Sequence, residues 1–351
     1  MLYLGVDYAK KFSVATLLDE KGNLVKRGTL SNRGAEFERF LAGYQDVVAV
    51  VEAGRNWHVM VDILQPLTRE VKLAHPYKTR LIAEARIKTD HIDSESLAHL
   101  LRTDLIAEAY LRGAESRKQQ RILRSRCFYV RLRTKLKNRI HHLVDGQPEE
   151  IRLQIPKVSD LFGKAGRSWL KGLRLQQPDQ DMLQELLTLE EHLSGLVAQS
   201  DKLIAQLFEE NQAAQRIKTL PGFGEFLSVL VAVEIADIHR FRSAKHLASY
   251  VGIVPSTYSS GGTTRHGKIT KLGSKWLRWA LVEAAIHAPL TSKALKSYSG
   301  RIRRRKGTKA ARLAVARKLC HIIYRVLTEN RHYYEDLQMR SRPQLVNSAA
   351  K

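Results

Sequence analysis

An α/β domain followed by a mainly helical remainder is the fold class that the sequence predicts. Three observations carry it. Near the N-terminus, short apolar runs alternate with amphipathic stretches in the order strand, strand, strand, helix, strand, helix, strand. Beyond residue 112 the apolar residues recur at helical spacing, in long charged segments. Lys and Arg outnumber Asp and Glu by 59 to 35, a formal charge of +24, and much of the excess lies in those segments.

Each element has its own reason. LYLGVDYA (2–9) and FSVATLLDE (12–20) read as strands joined by a tight turn at Lys10 and Lys11. Gly22–Asn23 is a hairpin signal, so GNLVKRGTLS (22–31) reads as a third strand. RGAEFERFLAGY (33–44) is amphipathic at helical spacing, and VVAVVEA (47–53) is almost wholly apolar, which marks a central strand buried on both faces. NWHVMVDILQPL (56–67) is a helix, EVKLAHP (70–76) a strand and DHIDSESLAHLLRTDL (90–105) a helix. The order β-β-β-α-β-α-β is that of ribonuclease-H-like folds.

From Arg112 to His142 the chain is helical and very basic: Arg117, Lys118, Arg121, Arg124, Arg126, Arg131, Arg133, Lys135, Lys137 and Arg139 face a single acid, Glu115. Ile122, Tyr129, Leu132, Leu136 and Leu143 form a narrow apolar stripe near heptad spacing. A second helical pattern runs from Asp181 to Asn211. The pair reads as a long helical arm interrupted by an irregular stretch, 145–178, with a self-associating coiled coil as one outcome. IKTLPGFGEFLSVLVAVEIADIHRF (217–241) reads as helix, Pro-Gly-Phe-Gly turn, helix, the helix-hairpin-helix pattern. Its glycines either let backbone N–H groups approach a phosphate or serve an ordinary tight turn. A polar, Gly-rich loop follows at 258–278, then an apolar helix, then the basic strip holding Arg303, Arg304 and Arg305; the tail after Met339 reads as frayed.

So large a positive excess calls for a polyanionic partner, nucleic acid first and a membrane surface second. No apolar run is long enough to span a bilayer, and the N-terminus does not read as a signal peptide. Cys127 and Cys320 stand far apart in basic helical surroundings, which argues against a disulfide framework or a zinc site and fits a reducing cytoplasm.

Metal-dependent phosphodiester cleavage needs several carboxylates converging on one spot. Asp7 lies among apolar residues on the first strand, Glu52 ends the central apolar strand, and Asp90 and Asp93 share one face of a helix start. Each has a plainer alternative: Asp90 as a helix N-cap, Asp93 or Glu95 as first-turn partners of the helix dipole. Asp62, Glu84 and Asp104 lie on amphipathic, solvent-facing patterns and are weaker candidates. In the polar loop, Ser259 and Ser260 sit beside two glycines and several cations, which is what a phosphate-attacking serine needs; Arg265, Lys268, Lys271 and Arg278 are near enough in sequence to clamp that phosphate. His266 reads as a solvated loop histidine rather than the serine's base.

GVDYAKKFSVATLLDEKGNLV, VVAVVEAGRNW and KTDHIDSESLAHLLR, together with the long block from IKTLPGFGEF through SSGGTTRHGKITKLGSKWLRWALVEAA, resemble the DEDD transposases of bacterial insertion sequences, the insertion-sequence one-ten family, whose relatives include Piv-type DNA invertases. The resemblance covers most of the chain; the middle helices match mainly in character. It implies a RuvC-like catalytic domain at 1–112, a basic helical or coiled-coil arm at 113–212, a C-terminal transposase domain with the serine loop at 213–338, and a tail at 339–351. It implies that Asp7, Glu52, Asp90 and Asp93 bind Mg2+ in a two-metal site, with Mn2+ as the substitute. It also implies that the serine directly before glycine, Ser260 rather than Ser259, forms a covalent bond to DNA. The partners so implied are donor and target double-stranded DNA, a structured bridge RNA, and further copies of the chain in a dimer or tetramer whose subunits share the serine and the tetrad. No membrane partner is implied, and the setting would be the bacterial cytoplasm, at the nucleoid. Two rivals remain: a RuvC-like structure-specific nuclease without a covalent intermediate, and a nucleic-acid-binding relic without catalysis.

Overall fold

The computed structural model describes residues 1–82, 89–260 and 262–333. The chain divides into two compact units between Gly113 and Ala114. The first holds β1 (Leu2–Tyr8), β2 (Phe12–Leu18), β3 (Leu24–Ser31), α1 (Gly34–Leu41), β4 (Val47–Glu52), α2 (Trp57–Leu64), β5 (Glu70–Ala74), α3 (Pro76–Ile82) and α4 (Asp90–Arg102). The sheet order is β3-β2-β1-β4-β5. β1 is antiparallel to β2 and parallel to β4, so the chain switches direction rules at its first strand.

Alternation along β4 explains its unbroken apolar run. Val47, Ala49 and Val51 join Leu4, Val6, Phe37, Met60 and Leu64 in a core on the α1–α2 side. Val48 and Val50 face the other way and pack with Leu97 and Leu101 of α4. That second layer is held very close. A Cβ on Gly5 would stand 2.1 Å from the Ser94 carbonyl oxygen and 2.6 Å from the Ala98 nitrogen, so only glycine lets α4 lie on β1 here. A buried hydroxyl pair, Thr16 Oγ1 and Ser94 Oγ at 2.8 Å, and the Arg27–Glu95 ion pair fix the helix's rotation.

The second unit holds α5 (Ala114–Asp145), α6 (Glu149–Arg152), α7 (Lys164–Gly172), α8 (Asp179–Glu210), α9 (Gln212–Lys218), α10 (Glu225–Ile235), α11 (Ala244–Val251), β6 (Pro255–Ser260), β7 (Thr263–Ile269), α12 (Lys275–Thr291) and α13 (Lys293–Thr328). The helices α5 and α8, each about 48 Å long at 1.5 Å per residue, pack on one another. Their ends are apolar. Ile140, Val144, Leu170, Leu183 and Leu187 close one end, while Leu123, Ile204 and Phe208 join the main helical core at the other. Ionic contacts also join them: Arg126 of α5 meets Asp201 of α8 at 2.9 Å, and Lys137 of α5 lies 4.0 Å from the fully buried Glu190, which receives Arg167 of α7 at 2.6 Å.

Three expectations change. The stretch 145–178 is not wholly irregular, since α6 and α7 form within it and α7 buries Leu170 in the end cluster. On α5 the buried positions are Gln120, Leu123, Cys127, Ile140 and Val144, beside the expected stripe, whose residues are half-buried. The serine loop is a β-hairpin. In the Pro-Gly-Phe-Gly turn, Gly222 (φ +84°) lies against α12, a Cβ there standing 2.4 Å from the Ala284 carbonyl oxygen, while Gly224, at the start of α10, has open space beside it. Glu84 and the tail after Met339 lie outside the described residues.

Gly5→Ala forces a methyl into backbone. It should destabilise the first unit by about 3 kcal/mol, the upper end of overpacking costs, and chemical denaturation of the purified chain measures it. A loss below about 1 kcal/mol would mean that α4 can retreat at little cost.

Candidate active site

Strand alternation places two of the acids. Tyr3, Gly5 and Asp7 share the α4 side of β1, as Val48, Val50 and Glu52 share it on β4. The parallel register pairs Val6 with Val51, so Asp7 and Glu52 stand at neighbouring strand ends. The other two come from the helix that Gly5 admits. Thr89 caps α4, its Oγ1 accepting from the Ile92 N–H at 3.2 Å, which puts Asp90 and Asp93 in the first turn. There the unpaired N–H groups of the helix favour negative charge.

The charges of the other three acids bear on Asp7. Asp7 is half-buried, and its carboxyl is pushed up to about 6, first by burial and then by the charges of Asp90, Asp93 and Glu52. Among the described residues, no three His, Cys, Asp or Glu side chains are gathered tightly enough to hold a metal ion. The set is therefore a crowd of mutually repelling carboxylates rather than a closed cage. Its chemistry is all oxygen and all negative, and that fits a hard divalent cation of the Mg2+ or Mn2+ kind better than zinc. Asp62 lies on α2, and Asp104 pairs with Lys72 at 3.7 Å; neither contributes to the shift at Asp7.

The serine pair sits on the hairpin. Ser259 pairs with Thr264 and Ser260 with Thr263, which leaves two residues for the connection, and Gly262 there has φ +77°. Gly-Gly between runs of Thr, Tyr and Ser is a hairpin signal that the polarity of the stretch concealed. Arg265 and Lys268 lie exposed on β7, and Tyr258, 71% exposed, stands opposite Arg265. Lys271 adopts φ +54° beyond the strand. Arg278 is committed elsewhere: its Nη1 donates to the Val251 and Lys271 carbonyls at 2.9 and 3.1 Å, and burial lowers its pKa.

The basic residues of α5 divide into two groups. Arg121 and Lys135 are exposed, as are Arg303, Arg304 and Arg305 on α13 ahead of its break at Gly307. Lys118 is exposed too and pairs with its helix neighbour Glu115 at 3.5 Å. Others hold the fold: Arg133 donates to Ser194 at 3.4 Å, and Arg124 binds the buried Glu234 at 2.9 Å. The Arg131 guanidinium lies 5.4 Å from the centre of the Trp276 ring. Arg117 also has a partner. Sequence reasoning passed over Gly5, Glu234 and Trp276; an acid inside the otherwise apolar run of α10 was the readable signal for the second.

The raised carboxyl of Asp7 has a pH consequence. The folded chain keeps a proton that the unfolded chain, at 3.8, gives up, so its stabilising effect is full below about 4 and is lost as pH rises through about 6. Asp7→Asn, measured in chelator at neutral pH, should therefore melt about 4 °C above the wild type, with the gap closing toward pH 4. Equal melting at every pH would remove the raised carboxyl.

Comparison with known proteins follows the same two-part layout. A family model described as a DEDD transposase of IS110 type matches residues 4–147, and one described as "Transposase IS116/IS110/IS902 family" matches 214–300. The chain is 25% identical to the transposase for insertion sequence element IS1328 of Yersinia enterocolitica over 93% of this chain and 96% of that protein. It is 24% identical to the transposase for insertion sequence element IS1111A of Coxiella burnetii, over 94% of this chain and 90% of that one. A shorter match, 34% identical over 149 residues, covers 40% of this chain and 46% of the pilin gene-inverting protein of Moraxella bovis. With the acids inside one family match and the serine hairpin inside the other, the chain belongs to the IS110 family of insertion-sequence transposases.

Proposed function

We propose that this transposase cuts and rejoins DNA through a covalent bond to Ser260, using a RuvC-like unit whose Asp7, Glu52, Asp90 and Asp93 hold Mg2+, or Mn2+ in its place. The observation that supports the reading is that the charges of Glu52, Asp90 and Asp93 all bear on the half-buried Asp7. The bound cation would supply charge neutralisation at the scissile phosphate and a lowered hydroxyl pKa. The Ser260 hydroxyl attacks phosphorus; a Ser–O–P bond forms, one P–O bond to deoxyribose breaks, and the departing deoxyribose oxygen takes up the proton that serine gives up. The reverse attack by another strand's hydroxyl rejoins the DNA, so bond energy is conserved without a nucleotide cofactor. Arg265 and Lys268 neutralise the charge that develops on the phosphate.

Donor and target duplexes bind through exposed cations, Arg121, Lys135 and Arg303–Arg305 among them. A structured guide RNA, several copies of the chain and a place at the bacterial nucleoid complete the reading. The net charge of +24 supports a polyanionic partner. Among the described residues no helix is long and apolar enough to cross a membrane. The local match to a pilin gene-inverting protein favours inversion as the second reading, with the same strand chemistry.

A denaturing gel of the purified protein with labelled DNA and Mg2+ tests the chemistry. A protein–DNA adduct should form with wild type and with Ser259→Ala, and fall below detection with Ser260→Ala, Asp7→Asn or Glu52→Gln. Adduct with Ser259→Ala absent and Ser260→Ala present would move the nucleophile by one position. Cleavage without any adduct would make the chain a nuclease. Nucleic acid recovered with the protein tests guidance, and a discrete structured RNA is the expected species.

Replacing Arg121 and Lys135 by Ala should weaken binding of unrelated duplexes equally. It should lower the log–log salt slope by about 0.9 for each phosphate no longer neutralised, or by about 0.7 on a single strand. An unchanged slope would leave these side chains as solvated surface.

A further inference from the structure

Helix α10 is apolar on all sides, and Ser228 through Ile235 are buried without a break. Within that run Glu234 is 2% exposed. A carboxylate in such a place is costly unless its oxygens are bonded. Here they are. Oε1 accepts from Gln120 Nε2 at 3.1 Å and from Arg124 Nη2 at 2.9 Å, both on α5. Oε2 accepts from Ser274 Oγ at 2.8 Å.

Ser274 is the N-cap of α12, its Oγ also accepting from the Leu277 N–H at 3.2 Å. It ends the path that leaves β7. Thr270 N donates to the Val254 carbonyl at 2.9 Å, Lys271 N to Gly252 at 3.1 Å and Ser274 N to Tyr250 at 3.3 Å. Gly273, at φ +104°, passes so near Tyr250 that a Cβ would stand 1.9 Å from its carbonyl oxygen. The β6–β7 hairpin thus stands on a tightly bonded foot, and Glu234 ties that foot to α5. Arg124, the residue at the other end of the tie, has a side chain 42% exposed, open to a phosphate while it holds Glu234.

An apolar residue would fill the core at position 234 at least as well, since buried ion pairs are often no more stable than hydrophobic replacements. What the network supplies is a fixed geometry shared by three elements. We propose that Glu234 is a positioning residue that couples the basic face of α5 to the serine hairpin: a phosphate bound at Arg124 is felt, through Glu234 and Ser274, at the foot of β6–β7. The coupling gives the hairpin a means of sensing that nucleic acid is in place. It rests on reading that hairpin as the serine-bearing element.

Backbone-amide hydrogen exchange of the full chain, with and without a mixed-sequence duplex DNA, reads the foot directly and does not depend on which group is the nucleophile. In the wild type, DNA should slow exchange at residues 268–274 by about fivefold or more. In Glu234→Gln that response should fall below about twofold, while amides 229–233 stay protected and DNA affinity stays within about threefold. Ser274→Ala leaves Glu234 its α5 partners, so it should fold whether or not the Gln variant does, and it should lose the response equally. Ser274→Thr keeps the hydroxyl and should restore it, and the double variant should be no worse than either single. The proposal is overturned if the wild-type foot is indifferent to DNA, if either variant responds as the wild type does, or if exchange rises throughout α10 and α12. If Ser260→Ala still forms adduct, the serine reading falls, yet the exchange result still decides the coupling.

Discussion

The first unit depends on one close approach, that of α4 to β1 at Gly5. Because no side chain stands there, the helix backbone lies against the strand and its first turn reaches the strand ends. Asp7 and Glu52 come from the sheet and Asp90 and Asp93 from the helix, so the separation of the two layers sets the distance between the two pairs. A looser layer would leave two isolated pairs of ordinary surface acids. In the tight one burial, and then the charges of Asp90, Asp93 and Glu52, push the Asp7 carboxyl up to about 6. The cost of that crowding is carried by the surrounding packing, by the Thr16–Ser94 hydrogen bond and by the Arg27–Glu95 pair, which hold the helix against the repulsion.

The N-terminal unit was legible because its signals are local and redundant. β4 is a continuous apolar run ending in an acid, and β1 alternates cleanly around Asp7, so both the strands and the acids at their ends follow from short windows of sequence. The hairpin was not legible in the same way. Its residues are Thr, Ser, Tyr and Gly with no apolar alternation to mark a pleat, and only the Gly-Gly pair points to a two-residue turn. The helices α6 and α7 were hidden for a different reason: they are short, and Leu170 becomes a core residue only when Ile140 and Leu183 arrive from other parts of the chain.

Charge was the least transparent property. The basic comb of α5 reads as one binding surface, yet Arg124, Arg126 and Arg133 each have a partner 61 to 110 residues away. Such pairs cannot be seen until the fold brings the acids in. The result is a division of labour along one helix. Arg126 and Arg133 turn toward α8, Arg124 holds Glu234 of α10 while its side chain stays 42% exposed, and Arg121 and Lys135 keep their charge for solvent or a phosphate. A formal charge of +24 therefore overstates how much of the positive surface is free to attract a ligand.

The two cysteines lie 5% and 1% exposed, and burial raises both thiols, Cys320 to about 12. At neutral pH neither offers the thiolate through which sulfur reacts. The chain therefore has no easy route to oxidative cross-linking through sulfur. Any association between copies of it would stay free of disulfides, and so could be reversed without a reductant.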